Sequence, residues 1–186
     1  MFRTLMLFTT AIAGVALAQA PPGAVPQSFS MDDKFAMDAM SGGMYEVQAS
    51  KLAMQRSTNA DVKKIAEKIV ADHTKANQEL TGILTRTKPN LVREQMMPIH
   101  AMMYQKLSAE QGADFDDCYL CQQVLAHQEA LMCFRKEAKK GQDKDLKAFA
   151  EKTIPALREH MDHVRNACEY ARDDGKHETL KPGENK

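Results

Sequence analysis

Apolar residues recur every three to four positions through four long stretches of this chain, the spacing that gathers them on one side of an α-helix. In 31–56 the shared face holds Phe35, Ala39, Gly42, Glu46, Ala49 and Ala53, after a start signal of Ser30, Asp32 and Asp33. In 61–84 it holds Val62, Ala66, Ile69, His73, Ala76, Leu80 and Leu84. Lys88-Pro89 ends that helix, because the residue before a proline is driven out of the helical region. The third stretch follows Gly112 and an expected cap at Asp114, and carries Leu120, Val124, His127, Ala130, Leu131, Phe134 and Ala138. It closes on a basic last turn and a glycine at Lys140-Gly141. The fourth starts at Asp143 or Asp145 and presents Phe149, Thr153, Ala156, Leu157, His160, His163, Val164, Ala167 and Ala171. Pro155 within it is expected to kink the helix or divide it. Between the second and third stretches, 98–110 reads as a short extra helix.

No run alternates with the period of a strand, so the fold class is all-α. Short turns near Asn59 and Gln142 make two antiparallel hairpins, whose apolar faces bury against each other. The expected architecture is a four-helix bundle with an additional short helix in the connection between helices 2 and 3.

Ionisable residues interrupt these apolar faces, one on each at a similar height, Glu46, His73, His127 and His160, with His163 three residues past the last. Residues equally far from a hairpin tip lie level with each other, which sets Glu46 opposite Asp72 and His73, and His127 near the level of His160. Each sits roughly 20–27 Å from its tip in a bundle about 40 Å long, at 1.5 Å per residue. All four therefore fall at mid-length whichever way the connection runs, and they should converge. Burying them is costly unless they satisfy one another or hold a cation. One carboxylate and three imidazoles from four helices suit a divalent transition metal such as zinc, copper or iron. The competing outcome is mutual hydrogen bonding, with Tyr45, Asp72 or Tyr119 as partners. Asp72 also has the option of orienting a ligand histidine.

The first residues follow a different pattern. Arg3, an apolar run from Leu5 to Leu17 and Ala16-Leu17-Ala18 read as a signal peptide over 1–18, since the run is shorter than the ~20 residues a membrane span requires. Residues 19–30, rich in proline, form a flexible tether; 31–173 form the bundle domain; 174–186 form a polar tail. No later stretch is a transmembrane segment. The expected address is the periplasm.

The chain has 25 basic and 25 acidic residues, without the basic excess that nucleic-acid binding calls for. Its four cysteines sit in an exported context, where disulfides form. Cys121 and Cys168 are level across the second hairpin and are the expected pair, with Cys118 the alternative partner and Cys133 left as a thiol. Met96, Met97, Met102 and Met103 surround His100, as core filler or as soft ligands for cuprous copper.

Several runs together resemble the exported bacterial family called domain of unknown function 4142. They are Gly43 to Glu46 with Lys51-Leu52-Ala53, the run Ala71-Asp72-His73-Thr74-Lys75-Ala76-Asn77, Phe115-Asp116 with Tyr119, Ala126-His127-Gln128-Glu129-Ala130, and Thr153 through Pro155 to His160. The likeness spans about Phe35 to Val164. It implies a ferritin-like helical bundle and export, and no particular reaction. Glu46, His73, His127 and His160 fall on that family's motif positions; the four cysteines lie outside the pattern. The Glu-x-x-His pairs of di-iron oxidases are missing.

Three functions follow. The first is a periplasmic bundle binding a transition metal through Glu46, His73, His127 and His160. The second is a non-catalytic envelope protein whose core histidines only hydrogen-bond and whose surface meets a protein partner. The third is a thiol redox protein using Cys118 and Cys121, whose thiolates a helix amino end would stabilise. The sequence favours binding over catalysis.

Overall fold

The computed structural model describes residues 28–172; the expected signal peptide, most of the tether and the polar tail lie outside them. Five α-helices follow one another: α1 (Met31–Arg56), α2 (Ala60–Thr87), α3 (Pro98–Ala109), α4 (Gly112–Lys140) and α5 (Lys144–Arg172), with a short 3-10 turn at Pro89–Leu91. No strand occurs among the described residues.

The helix ends follow from local chemistry. Ser30 caps α1 through a reciprocal box with Asp33, each side chain meeting the other's backbone N–H at 3.0 Å. Asn59 accepts from the N–H groups of Asp61 and Val62 to start α2. Asp143 caps α5 in the same way, accepting from Asp145 and Leu146. The buried Asp32 carboxylate accepts from the backbone N–H groups of Gln142 and Asp143, which ties the α4–α5 turn to the start of α1.

The four long helices form a bundle in which α1 packs on α2 and α4, and α5 packs on α4 and α2. Phe35 meets Phe134 while Ser50 meets Tyr119, so α1 and α4 run antiparallel. The connection from α2 therefore has to travel the length of the bundle. Lys88 pairs with Asp33 near the start of α1, His100 meets Ser41 further along, and Arg56 at the end of α1 donates to the Ser108 carbonyl. α3 is thus a strap laid along α1, and α4 begins at the far end.

Apolar packing gathers in two clusters, one around Phe35, Phe134 and Phe149, the other around Tyr45, Phe115 and Tyr119. Burying a large apolar side chain contributes about 1.5–3 kcal/mol. That is the favourable term set against the polar groups held at mid-bundle.

Three expectations need correction. Pro155 neither ends nor divides α5, which is continuous. Pro155 and Glu151, four residues before it, are both exposed, so the carbonyl that loses its partner faces water. His163 is exposed rather than on the inner face; Met161 is buried instead, and His163 lies about 100° around the helix from buried Val164. α4 starts at Gly112, two residues before the expected cap. The face of α1 is also broader than its stripe, because three helices pack on it: Ala36, Met40, Ser41, Gly43, Tyr45 and Ser50 are buried as well.

Candidate metal centre

Each of the four long helices brings one ionisable side chain to the same level of the bundle, and all four are almost fully enclosed: Glu46 at 3%, His73 at 6%, His127 at 0% and His160 at 1% exposure. The three imidazoles stand in a nearly equilateral triangle, with ring centroids 5.2 Å apart for His73 and His160 and 5.4 Å for the other two pairs. The convergence expected from the sequence is therefore present.

Hydrogen bonds fix which nitrogen of each ring is anchored and which is left for another partner. His127 Nδ1 lies 2.9 Å from the Gln123 carbonyl, which can only accept, so Nδ1 carries the proton. Burial holds this imidazole below its ordinary pKa despite the attraction of Glu46, leaving Nε2 as a bare lone pair. That nitrogen is buried without a hydrogen-bond partner among the described residues. His160 Nε2 donates to Asp72 Oδ2 at 2.8 Å, which turns Nδ1 inward. Burial and the neighbouring His73 bring the His160 pKa down to about 4, so it too is neutral near pH 7. His73 Nδ1 donates to Glu46 Oε2 at 2.8 Å, and its Nε2 lies 3.3 Å from His160 Nδ1.

His73 and Glu46 are a charge pair. Burial opposes the His73 cation, but Glu46 outweighs it and raises the pKa. Burial likewise opposes the Glu46 carboxylate, yet His73 and His127 bring it down to about 2. Its Oε1 is 3.4 Å from His127 Nδ1 and has no hydrogen-bond partner among the described residues. Asp72 is held below the usual carboxylate range: partial burial works against this, while His160 and Lys68 more than offset it.

One ring nitrogen from each histidine lies within 4.8 Å of the other two. Ligand bonds of 2.0–2.1 Å in a tetrahedral shell place nitrogens about 3.3–3.4 Å apart. The His73–His160 spacing already meets that value, and the remaining nitrogens need to close by up to about 1.5 Å. Two carboxylates, Glu46 and Asp72, balance the charge of a divalent ion with three neutral imidazoles, which offsets the penalty of burying it. The residues present thus fit a divalent metal.

Other candidates fall elsewhere. His100 is buried against Ser41, with Nδ1 2.7 Å from Oγ, and stacks on Tyr45. Met102 is exposed, whereas Met96 and Met103 pack against the Tyr45 cluster as filler. Cys121 and Cys168 face each other with Sγ atoms 3.7 Å apart. Cys118 and Cys121 lie beyond the first turn of α4, out of range of its amino end, and burial raises the Cys118 thiol rather than activating it. Gln123, whose carbonyl sets the His127 tautomer, was not foreseen from sequence. Any helix offers that i−4 carbonyl, so no residue type signals it.

The fold and site define a helical bundle with a buried trihistidine cluster. The chain belongs to the family described as Domain of unknown function (DUF4142), whose model matches residues 16–167. No curated protein matches the sequence. Among solved structures, it is similar to CopM in the Cu(II)-bound form, with TM-score 0.63 and 17% identity over 75% of this chain and 96% of that one. CopM in the Ag-bound form gives 0.62 and 17% over 77% and 98%. A putative secreted protein DUF305 from Streptomyces coelicolor gives 0.65 and 16% over 80% and 97%. At these identities the likeness establishes the helical fold alone. No helix among the described residues is long and apolar enough to cross a membrane.

Proposed function

We propose that this is an exported, periplasmic, ferritin-like bundle that binds one divalent transition metal ion through His73, His127 and His160, with Glu46 as their charge partner. The observation that carries the reading is the bare, buried Nε2 of His127, without a partner among the described residues, on a ring packed edge-on at 5.4 Å against two further imidazoles that are each held by a carboxylate. Each histidine has one N–H anchored to oxygen, and once His73 gives up the proton that its raised pKa retains, each has a second nitrogen with a free lone pair, the arrangement in which metal-ligating histidines are found. Both Glu46 oxygens approach Nδ1 atoms, the ring edge opposite the inward Nε2 atoms, so in this reading the carboxylate orients the ligands and neutralises charge.

Imidazole-only donor sets suit zinc, copper, iron and nickel, and the affinity order places copper(II) highest. Metal-bound forms of CopM on a similar fold support the same reading, as does the secreted DUF305 neighbour for export. The single long crossover between the second and third long helices is the connection that ferritin-like bundles use. Elemental analysis of the mature protein, purified without chelators, tests the proposal: about one transition metal ion per chain is expected. A metal-free protein that also fails to take up copper, zinc or iron on titration would leave the second reading, an envelope protein with hydrogen-bonded core histidines. One observation favours that alternative: a single proton on His73 completes the chain from Glu46 through His73 and His160 to Asp72.

A further inference from the structure

Two openings reach the trihistidine cluster, and their chemistry differs. A groove of about 180 Å³ between α2 and α5 leads to His73 and His160. Its carboxylates are already paired: Glu79 with Lys152 at 2.7 Å and Asp72 with Lys68 at 3.3 Å, and Lys75 also lines it. An approaching cation meets ammonium groups there. The second opening is a cavity of about 60 Å³, room for a few waters, that runs inward from the α1–α4 seam beside the first turn of α3. Asp38, Glu129 and Cys133 line it at one side, His100 stands along it, and Glu46 and His73 lie at its inner side.

This second passage is built for a cation. Asp38 and Glu129 bring two carboxylates to it; burial and the like charge of Glu129 raise the Asp38 carboxyl, against the opposing pull of His100 and Lys136. Burial, with Asp38 and other nearby carboxylates, pushes the Cys133 thiol up to about 12. His100 and Lys136 offset part of this negative field, but among the described residues neither carboxylate is held in an ion pair, whereas those of the opposite groove are. At the inner side Glu46 Oε1 is buried without a hydrogen-bond partner. The glycines of α1 at this level let neighbouring helices come close along its wall: a Cβ on Gly43 would collide with the Asn77 side chain, and the His100 ring lies over Gly42.

Resting on the metal-binding reading, we propose that the α1–α4 cavity is the port through which the metal ion reaches the three histidines. Asp38 and Cys133 are its outer contacts, and Glu46 Oε1 receives the ion within. Passage through Cys133 displaces the thiol proton to solvent and returns it when the ion moves inward, so no oxidant or reductant is involved.

Stopped-flow uptake of Co²⁺ by the mature chain tests this, followed by the visible ligand-field bands of the bound ion. In D38N/C133S, uptake should slow by at least about tenfold, the scale on which local charge changes association. The final spectrum and the helical circular dichroism should stay those of the wild type. In K152E, in the opposite groove, the rate should be unchanged. Equal rates in wild type and D38N/C133S, or faster uptake in K152E, would overturn the port while leaving the trihistidine site standing. Absence of the Co²⁺ bands in wild type, or their full persistence in H127A, would instead overturn the site and the port with it.

Discussion

His160 Nε2 donates to Asp72 Oδ2 at 2.8 Å across the α2–α5 interface, and this bond determines that the other nitrogen of His160 faces the cluster. Asp72 in turn holds Lys68 at 3.3 Å, half-exposed at the bundle surface. Removing the carboxylate frees the ring to rotate and takes away one of the two charges balancing a buried divalent ion. D72A should therefore lower metal affinity by about 10–100-fold, the usual cost of losing such a partner, with the helical signal intact. Titration calorimetry on both proteins checks it.

Metal binding should release protons, and the source is specific. The His73 pKa is raised above its ordinary value, while those of His127 and His160 are lowered. Below the raised His73 pKa, the ion must displace a proton held between His73 and His160. Affinity should then fall about tenfold per pH unit as pH decreases through that range, with about one proton released per ion. Calorimetry in two buffers of different ionisation enthalpy measures the number directly. A value of zero near pH 6 would mean that His73 carries no proton or is not a ligand.

The adjacent glycines of α1 should respond in opposite ways. A Cβ at Gly42 meets the His100 ring at 3.8 Å, an ordinary contact, so G42A should gain up to about 1 kcal/mol from helix propensity. At Gly43 the whole Asn77 amide lies in the way, and G43A should lose about 1–3 kcal/mol to overpacking. Urea denaturation of both variants gives the two signs.

Cys121 and Cys168, with Sγ atoms 3.7 Å apart, should join in an oxidising compartment through small side-chain rotations. The closed loop separates residues 47 apart, for which the chain-entropy model gives up to about 4 kcal/mol. Peptide mapping without reductant should recover the Cys121–Cys168 pair, and C168S should unfold at lower denaturant. Recovery of Cys118 joined to Cys121 would contradict the assignment.

The level of each site residue was legible because antiparallel helices of fixed rise place residues by distance from the turn: Glu46 and His73 flank Asn59, and His127 and His160 flank Gln142. The direction of the connection was not, since a crossing strap and a short turn leave the same four residues at mid-height. Gly42-Gly43 lowers the helix propensity of α1, and what the pair gives in return is not legible in the sequence because His100 and Asn77, which approach it, come from other helices. His163 shares the spacing of its neighbours but misses the narrow inner arc of α5. The division of ring nitrogens, on which the metal reading rests, depends on Gln123, Asp72 and Glu46 at hydrogen-bond distance. Such contacts are set by side-chain geometry that periodicity does not encode.

The most direct measurement compares metal titration of the wild type with H127A, because His127 Nε2 has no other partner to lose. Calorimetry with copper(II), zinc or iron(II) should give about one ion per wild-type chain. In H127A that binding should disappear while circular dichroism still reports a helical bundle. Equal uptake by the two proteins would contradict the trihistidine site.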